Sequence, residues 1–166
     1  MKLVVDVQYS DNSAIVAGII FSSWNSNKVH RSLIKEVHGI EAYVPGSFYK
    51  RELPCIISLL NEIEEHITII IIDGYVVLGS DKKAGLGMYL FEHLNKQVPI
   101  IGVAKKRFKN TPQDNEILRG KSLNPLFITV AGIELYKAKE LISNMEGKYR
   151  IPTLINSVDQ LCRGIS

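Results

Sequence analysis

Sulfur is scarce in this sequence, and what there is follows no metal-binding pattern. The two cysteines, Cys55 and Cys162, lie far apart in apolar, helix-like contexts. They make neither a CxxC pair nor a zinc-ligand spacing, which leaves buried free thiols as the expectation. Histidine is sparse too: His30, His38, His66 and His93 form no His-rich site and are expected at the surface or partly buried. No apolar run approaches the ~20 residues that span a bilayer. Runs such as Ile67 to Ile72 have the length of a buried strand. The opening MKLVVDVQYSD meets an aspartate and turn residues too early for a secretory signal, so a cytoplasmic protein is expected. There is also no Walker loop, and no GxGxxG after the first strand.

What is present is the mix of a soluble globular chain. Of 166 residues, 46% are hydrophobic and 22% charged, enough for one domain with a real core over residues 1–166. Strand-like segments Lys2 to Tyr9, Ala14 to Phe21 and Val29 to Val37 are separated by the turns Ser10-Asp11-Asn12-Ser13 and Trp24-Asn25-Ser26-Asn27. That rhythm predicts an antiparallel meander. Apolar residues then recur at helical spacing from Glu52 to His66, with Pro54 in the first turn. Ile67 to Ile72 is apolar on both faces, as a central parallel strand is. Further on, Leu86 to Asn95, Glu134 to Asn144 and Thr153 to Arg163 read as helices, and Val98 to Ala104 and Leu126 to Val130 as strands. The sum is an α/β protein whose mixed sheet has three antiparallel meander strands followed by alternating helices and parallel strands. The order is similar to the ribonuclease H-like arrangement.

Two aspartates stand out against this background. Asp6 interrupts Val4-Val5-Asp6-Val7, and Asp73 ends the isoleucine run ahead of Gly74. A carboxylate inside an apolar strand costs several kcal/mol unless it is paired. The carboxyl edge of an open α/β sheet is where ligands bind. If the two strands are neighbours, Asp6 and Asp73 converge, and Glu52 at the start of the intervening helix reaches the same place. Such a set suits Mg²⁺, a hard ion that prefers oxygen donors. An ordinary alternative stays open, in which the aspartates are turn-edge residues and Glu52 is favoured by the helix dipole. The net charge of +3 does not by itself argue for nucleic acid, although Lys105, Lys106, Arg107 and Lys109 cluster around Phe108.

An ordered set of short blocks carries a more specific signal. Asp6-Val-Gln-Tyr9, Tyr43-Val-Pro-Gly46, Arg51-Glu52-Leu-Pro54, Asp73-Gly74, Ile101-Gly-Val-Ala-Lys105 and Tyr149-Arg-Ile-Pro152 resemble the successive blocks of the endonuclease V family, from Asp6 to about Arg163. The resemblance starts at the first strand, without the helical segment that members usually carry ahead of it. It implies that Asp6, Glu52 and Asp73 bind metal, Mg²⁺ with Mn²⁺ as a substitute. It implies that Asp159 occupies the last acidic or histidine position of the catalytic site and that Lys105 faces the reacting phosphate. Tyr43, Val44, Pro45 and Gly46 correspond to the wedge that inserts at a lesion and helps displace the base. Gly74, Lys106 and Arg107 fall beside the substrate.

The implied activity is metal-dependent hydrolysis of a phosphodiester bond 3′ to a deaminated base, in DNA repair. Deoxyinosine in DNA is the first substrate and inosine in RNA the second. The rivals are a nuclease specific for nucleic-acid structure and a homologue that binds nucleic acid without cutting. One stretch departs from the family: Val76 stands where a second glycine is expected after Asp73-Gly74, and two histidines usually found further on are missing. The family's base pocket borders this stretch, so weaker selectivity for inosine is expected.

Overall fold

In the computed structural model, residues 1–10, 12–40 and 49–164 are described. Three strands open the chain: β1 (Lys2–Ser10), β2 (Ser13–Phe21) and β3 (Arg31–His38). Both hairpin pairings are antiparallel, giving the expected meander. Helix α1 (Tyr49–Leu60) leads to β4 (Ile69–Asp73), which lies parallel to β1. A small hairpin of β5 (Val77–Leu78) and β6 (Lys83–Ala84) precedes α2 (Leu86–His93). Then come β7 (Ile100–Ala104), β8 (Glu116–Ile117), β9 (Leu126–Ala131), α3 (Leu135–Ser143) and α4 (Thr153–Cys162). The main sheet runs β3-β2-β1-β4-β7-β9-β8.

The isoleucine run is central, as its two apolar faces require. β4 has parallel neighbours on both sides, β1 and β7, and Ile70, Ile71 and Ile72 are fully buried. Successive side chains point to opposite faces and feed two cores. Val4, Ile71, Ile101 and Ile128 join the layer under α3 and α4, which supply Ala138, Ile142, Leu154, Ile155 and Val158. Leu3, Val5, Ile70 and Ile72 join the other layer, with Cys55, Ile56 and Leu59 of α1 and Leu90 of α2.

Three details differ from the expected elements. First, α1 begins at Tyr49 and ends at Leu60, so Pro54 lies inside the helix rather than in its first turn. The ring removes the hydrogen bond to the Lys50 carbonyl, near the helix start where solvent can satisfy it. Second, α2 stops at His93 because Asn95 and Lys96 take φ of 56° and 59°, which no right-handed helix tolerates. Third, the chain returns from β7 to β9 through a single 3₁₀ turn, Gln113–Asn115, and the short β8. With no crossover helix, β9 runs antiparallel to β7 rather than parallel. Among the described residues no helix is long and apolar enough to cross a membrane.

Candidate metal centre and active site

The β1–β4 ladder pairs Val5 with Ile72, so Asp6 and Asp73 are the next residues on adjacent parallel strands. Both share the face of Val4 and Ile71, the face covered by α4. Helix α4 contributes Asp159 and Cys162, three residues apart and therefore on one side of the helix. The ligand atoms of Asp6, Asp159 and Cys162 all lie within 4.8 Å of one another. Asp6 Oδ1 also accepts the Val7 N–H at 2.8 Å, and Asp159 Oδ1 accepts Arg163 Nε–H at 3.2 Å. Lys105, just past β7, places Nζ 3.7 Å from Asp73 Oδ2.

Glu52 comes from the opposite layer, in the first turn of α1. It is 5% exposed, and its Oε2 is buried without a hydrogen-bond partner among the described residues. Burial first, and nearby like charges second, raise Asp6, Glu52 and Asp73. Burial first, then the neighbouring Asp73 charge, push Asp6 up to about 7. Burial, Asp6 and Asp73 hold Glu52 well above the ordinary carboxyl range. Asp73 is also raised by burial, although Lys105 opposes the shift. Burial pushes the Cys162 thiol up to about 12, helped by Asp6 and Asp159.

This is concentrated negative charge with few cations to balance it. Oxygen donors from four carboxyls, one of them with an orphaned buried oxygen, fit a hard divalent ion such as Mg²⁺. The grouping differs in detail from the expected Asp6, Glu52 and Asp73 set. Asp6 sits between the two groups: Asp159 and Cys162 close around it, while Asp73 leans toward Lys105. Cys162 was not anticipated as a member. The signal was there, in the i, i+3 spacing from Asp159 within one helix.

Beside the carboxyls a cavity of about 350 Å³ is lined by Asp73, Gly74, Ala104, Lys105, Lys106, Asp159 and Arg163. Two glycines let the backbone beside it pack closely. Gly74 takes φ +133°, and a Cβ on Gly102 would stand 2.5 Å from the Gly74 carbonyl oxygen and 2.7 Å from Thr129 Oγ1. The chain after Asp73 can therefore lie directly on β7. Lys106 is exposed at the cavity, whereas Arg107 spends an N–H on the Thr111 carbonyl at 2.9 Å. Tyr75 anchors the basic loop: its hydroxyl donates to the Lys106 carbonyl at 2.7 Å and accepts the Phe108 N–H at 2.9 Å. Arg150 braces the same loop through the Lys105 and Pro125 carbonyls. Arg150 belongs to the Tyr149-Arg-Ile-Pro152 block, but nothing local in that block marks these contacts.

Val76 is fully buried in the α1–α2 layer, its N–H donating to Thr129 Oγ1 at 2.8 Å. Its bulk goes into the core instead of the cavity. All four histidines are exposed, away from the carboxyl group. Tyr43, Val44, Pro45 and Gly46 lie outside the described residues.

Comparisons with known proteins converge on one family. The sequence model of the family described as Endonuclease V matches residues 3–160. The chain is 31% identical over 162 residues to Endonuclease V of Pyrococcus abyssi, an alignment covering 96% of this chain and 77% of that one. Among solved structures, Endonuclease V from Streptomyces avermitilis has a TM-score of 0.78 at 24% identity, over 98% of this chain and 79% of the other. The Ciona intestinalis Endonuclease V, crystallised in complex with a 24mer DNA containing an inosine followed by a ribo-adenosine, has a TM-score of 0.77 at 20% identity. That superposition covers 98% of this chain and 84% of the other.

Proposed function

The chain belongs to the endonuclease V family, and from that premise we propose that it is a Mg²⁺-dependent endonuclease that hydrolyses a phosphodiester bond 3′ to a deaminated base. The observation that supports this most is that Asp159, which meets Asp6 on one side, lines with Asp73 a cavity that also carries Lys105 and Lys106. A protein that only gripped nucleic acid would gain nothing from negative charge concentrated against phosphates. The first substrate is DNA containing deoxyinosine, since a relative was crystallised on inosine-containing DNA. Inosine in RNA is the second.

In this reading Asp6, Glu52 and Asp73 hold the ion, and Asp159 completes the catalytic group. Bound Mg²⁺, or Mn²⁺ in its place, supplies charge neutralisation at the phosphate and activation of water. Lys105 sits on the cavity wall, 3.7 Å from Asp73, where its charge offsets the negative charge that develops on the phosphate oxygens. The carbonyl contact from Arg150 and the Tyr75 hydroxyl keep the loop carrying Lys105 and Lys106 in place. Gly74 lets the substrate backbone come close, while Lys106 and Arg107 meet flanking phosphates. Tyr43, Val44, Pro45 and Gly46 serve as the wedge that helps a base leave the stack.

A second reading has its own observation. The absence of the two family histidines favours a nuclease that responds to flaps or mismatches more than to hypoxanthine, although Val76 itself packs into the core. One experiment separates the two. Cleavage is measured with Mg²⁺ or EDTA on matched inosine, mismatched and undamaged oligonucleotides, for wild type and Tyr43→Ala. Metal-dependent cutting with a clear kcat/KM preference for inosine supports the first reading, and equal cutting of mismatches supports the second. No cutting of any substrate refutes both.

A further inference from the structure

The thiol in the carboxylate group has no part in the reading above, yet it occupies a ligand position. Cys162 Sγ lies within 4.8 Å of a carboxyl oxygen of Asp6 and of Asp159. Atoms that share one ion at ~2.0–2.3 Å each stand no more than roughly 4.6 Å apart, so a small side-chain adjustment closes the set. Asp159 and Cys162 project from the same side of α4, and Asp6 is held in β1 opposite Ala17 of β2. Independently of the cysteine, Glu52, only 5% exposed and close enough to Asp6 and Asp73 to feel their charge, brings a carboxyl oxygen that is buried and without a hydrogen-bond partner among the described residues. Both thiols donate within their own helix, Cys55 to the Arg51 carbonyl at 3.6 Å and Cys162 to the Asp159 carbonyl at 3.2 Å, but among the described residues only Cys162 belongs to such a group.

We infer that the centre is also a site for thiophilic divalent cations, held by sulfur from Cys162 and oxygen from Asp6 and Asp159, so that Zn²⁺ or Cd²⁺ displaces Mg²⁺ and silences the enzyme. The inference rests on the proposed Mg²⁺ centre and deepens it, because a thiolate adds a preference that four carboxylates lack. Soft sulfur selects zinc-like ions, whereas Mg²⁺ gains almost nothing from it. On binding, the Cys162 S–H bond breaks, its proton passes to the buffer, and the sulfur lone pair forms the bond to the cation; nothing is oxidised or reduced.

The test uses the full chain, stripped with EDTA, desalted and titrated with Cd²⁺ while the ultraviolet sulfur-to-cadmium charge-transfer band is followed. The wild type should develop a band saturating at one Cd²⁺ per chain, and Cys55→Ser should keep it. Cys162→Ser should lose it and bind Cd²⁺ more weakly. Asp159→Asn should keep the band and weaken the affinity, which tests the site even if the cysteine variant folds poorly. A wild type without the band, or a band that survives Cys162→Ser or vanishes in Cys55→Ser, overturns the inference. Cleavage of inosine DNA with Mg²⁺ reports separately on the nuclease reading. Cutting without a cadmium band refutes the thiol site alone, and a band without any cutting refutes the nuclease reading alone.

Discussion

Two acidic groups on this molecule use the same chemistry to opposite ends. At the carboxyl edge of the sheet, Asp6, Glu52 and Asp73 are raised above their ordinary pKa values by burial and by neighbouring carboxyls, Asp159 among them. After α1, Glu62, Glu64 and Glu65 surround His30 and Arg31 in an open surface depression. There Arg31 makes two 2.8 Å hydrogen bonds to Glu65 and holds its carboxyl down at about 2. Count of acidic residues therefore says little about function. What distinguishes a candidate metal site is charge that the fold has buried without a matching cation, at a cost that a bound ion would offset.

The sharpest way to break this contrast is Asp73→Asn. We expect cleavage at background with the fold retained in circular dichroism, while Glu64→Gln in the surface group leaves cleavage unchanged. Retained activity in Asp73→Asn would remove the distinction between the groups. Next in size is Lys105→Ala, expected to lower kcat by ~10²–10³-fold with little change in Kd, as for loss of one group that stabilises developing charge. Lys106→Ala should act on affinity instead, weakening binding to all sequences and reducing the salt-dependence slope by about one. Arg107→Ala should have a smaller effect on that slope, because its guanidinium already serves the Thr111 carbonyl. Binding isotherms at several salt concentrations check both.

Smaller effects concern stability. In the presence of EDTA, Asp6 keeps its proton in the fold up to about 7 but only to about 3.8 when unfolded. Its contribution is fully present below the unfolded value and is lost as pH rises through about 7. Asp6→Asn should therefore stabilise the EDTA-treated protein at pH 8 by about 1–4 kcal/mol and flatten the pH dependence between 4 and 7. Glu65 has the opposite sign. Its folded value lies below the ordinary 4.5, so its contribution is present above 4.5 and lost as pH falls through about 2. Because the pair is exposed, Glu65→Gln should lower the melting temperature only slightly at neutral pH and leave cleavage untouched. Thermal melts across pH check both signs.

Much of this was legible in the text of the chain because it depends on neighbours in sequence. Alternation and turn residues marked β1, β2 and β3 within two residues of their ends. An isoleucine run marked the central strand, and the aspartates within or ending apolar strands marked the site. Boundaries failed where one residue's backbone decided them, as at Asn95 with φ 56°, or where a helix began earlier than its apolar period, as α1 does at Tyr49. The direction of β9 was not legible either, since nothing local distinguishes a strand that returns through a loop from one that follows a crossover helix.

The sequence by itself determined which carboxylates are costly to bury, because that cost is a property of an acidic side chain set among valines and isoleucines. Only the tertiary structure decided their company. The parallel register sets Asp6 beside Asp73, α4 brings Asp159 and Cys162 over them, and Lys105 arrives from β7. These partners come from distant parts of the chain, and no local periodicity records a distance closed by packing. Only when both faces of the sheet were covered did a thiol far along the sequence become a neighbour of the first strand's aspartate.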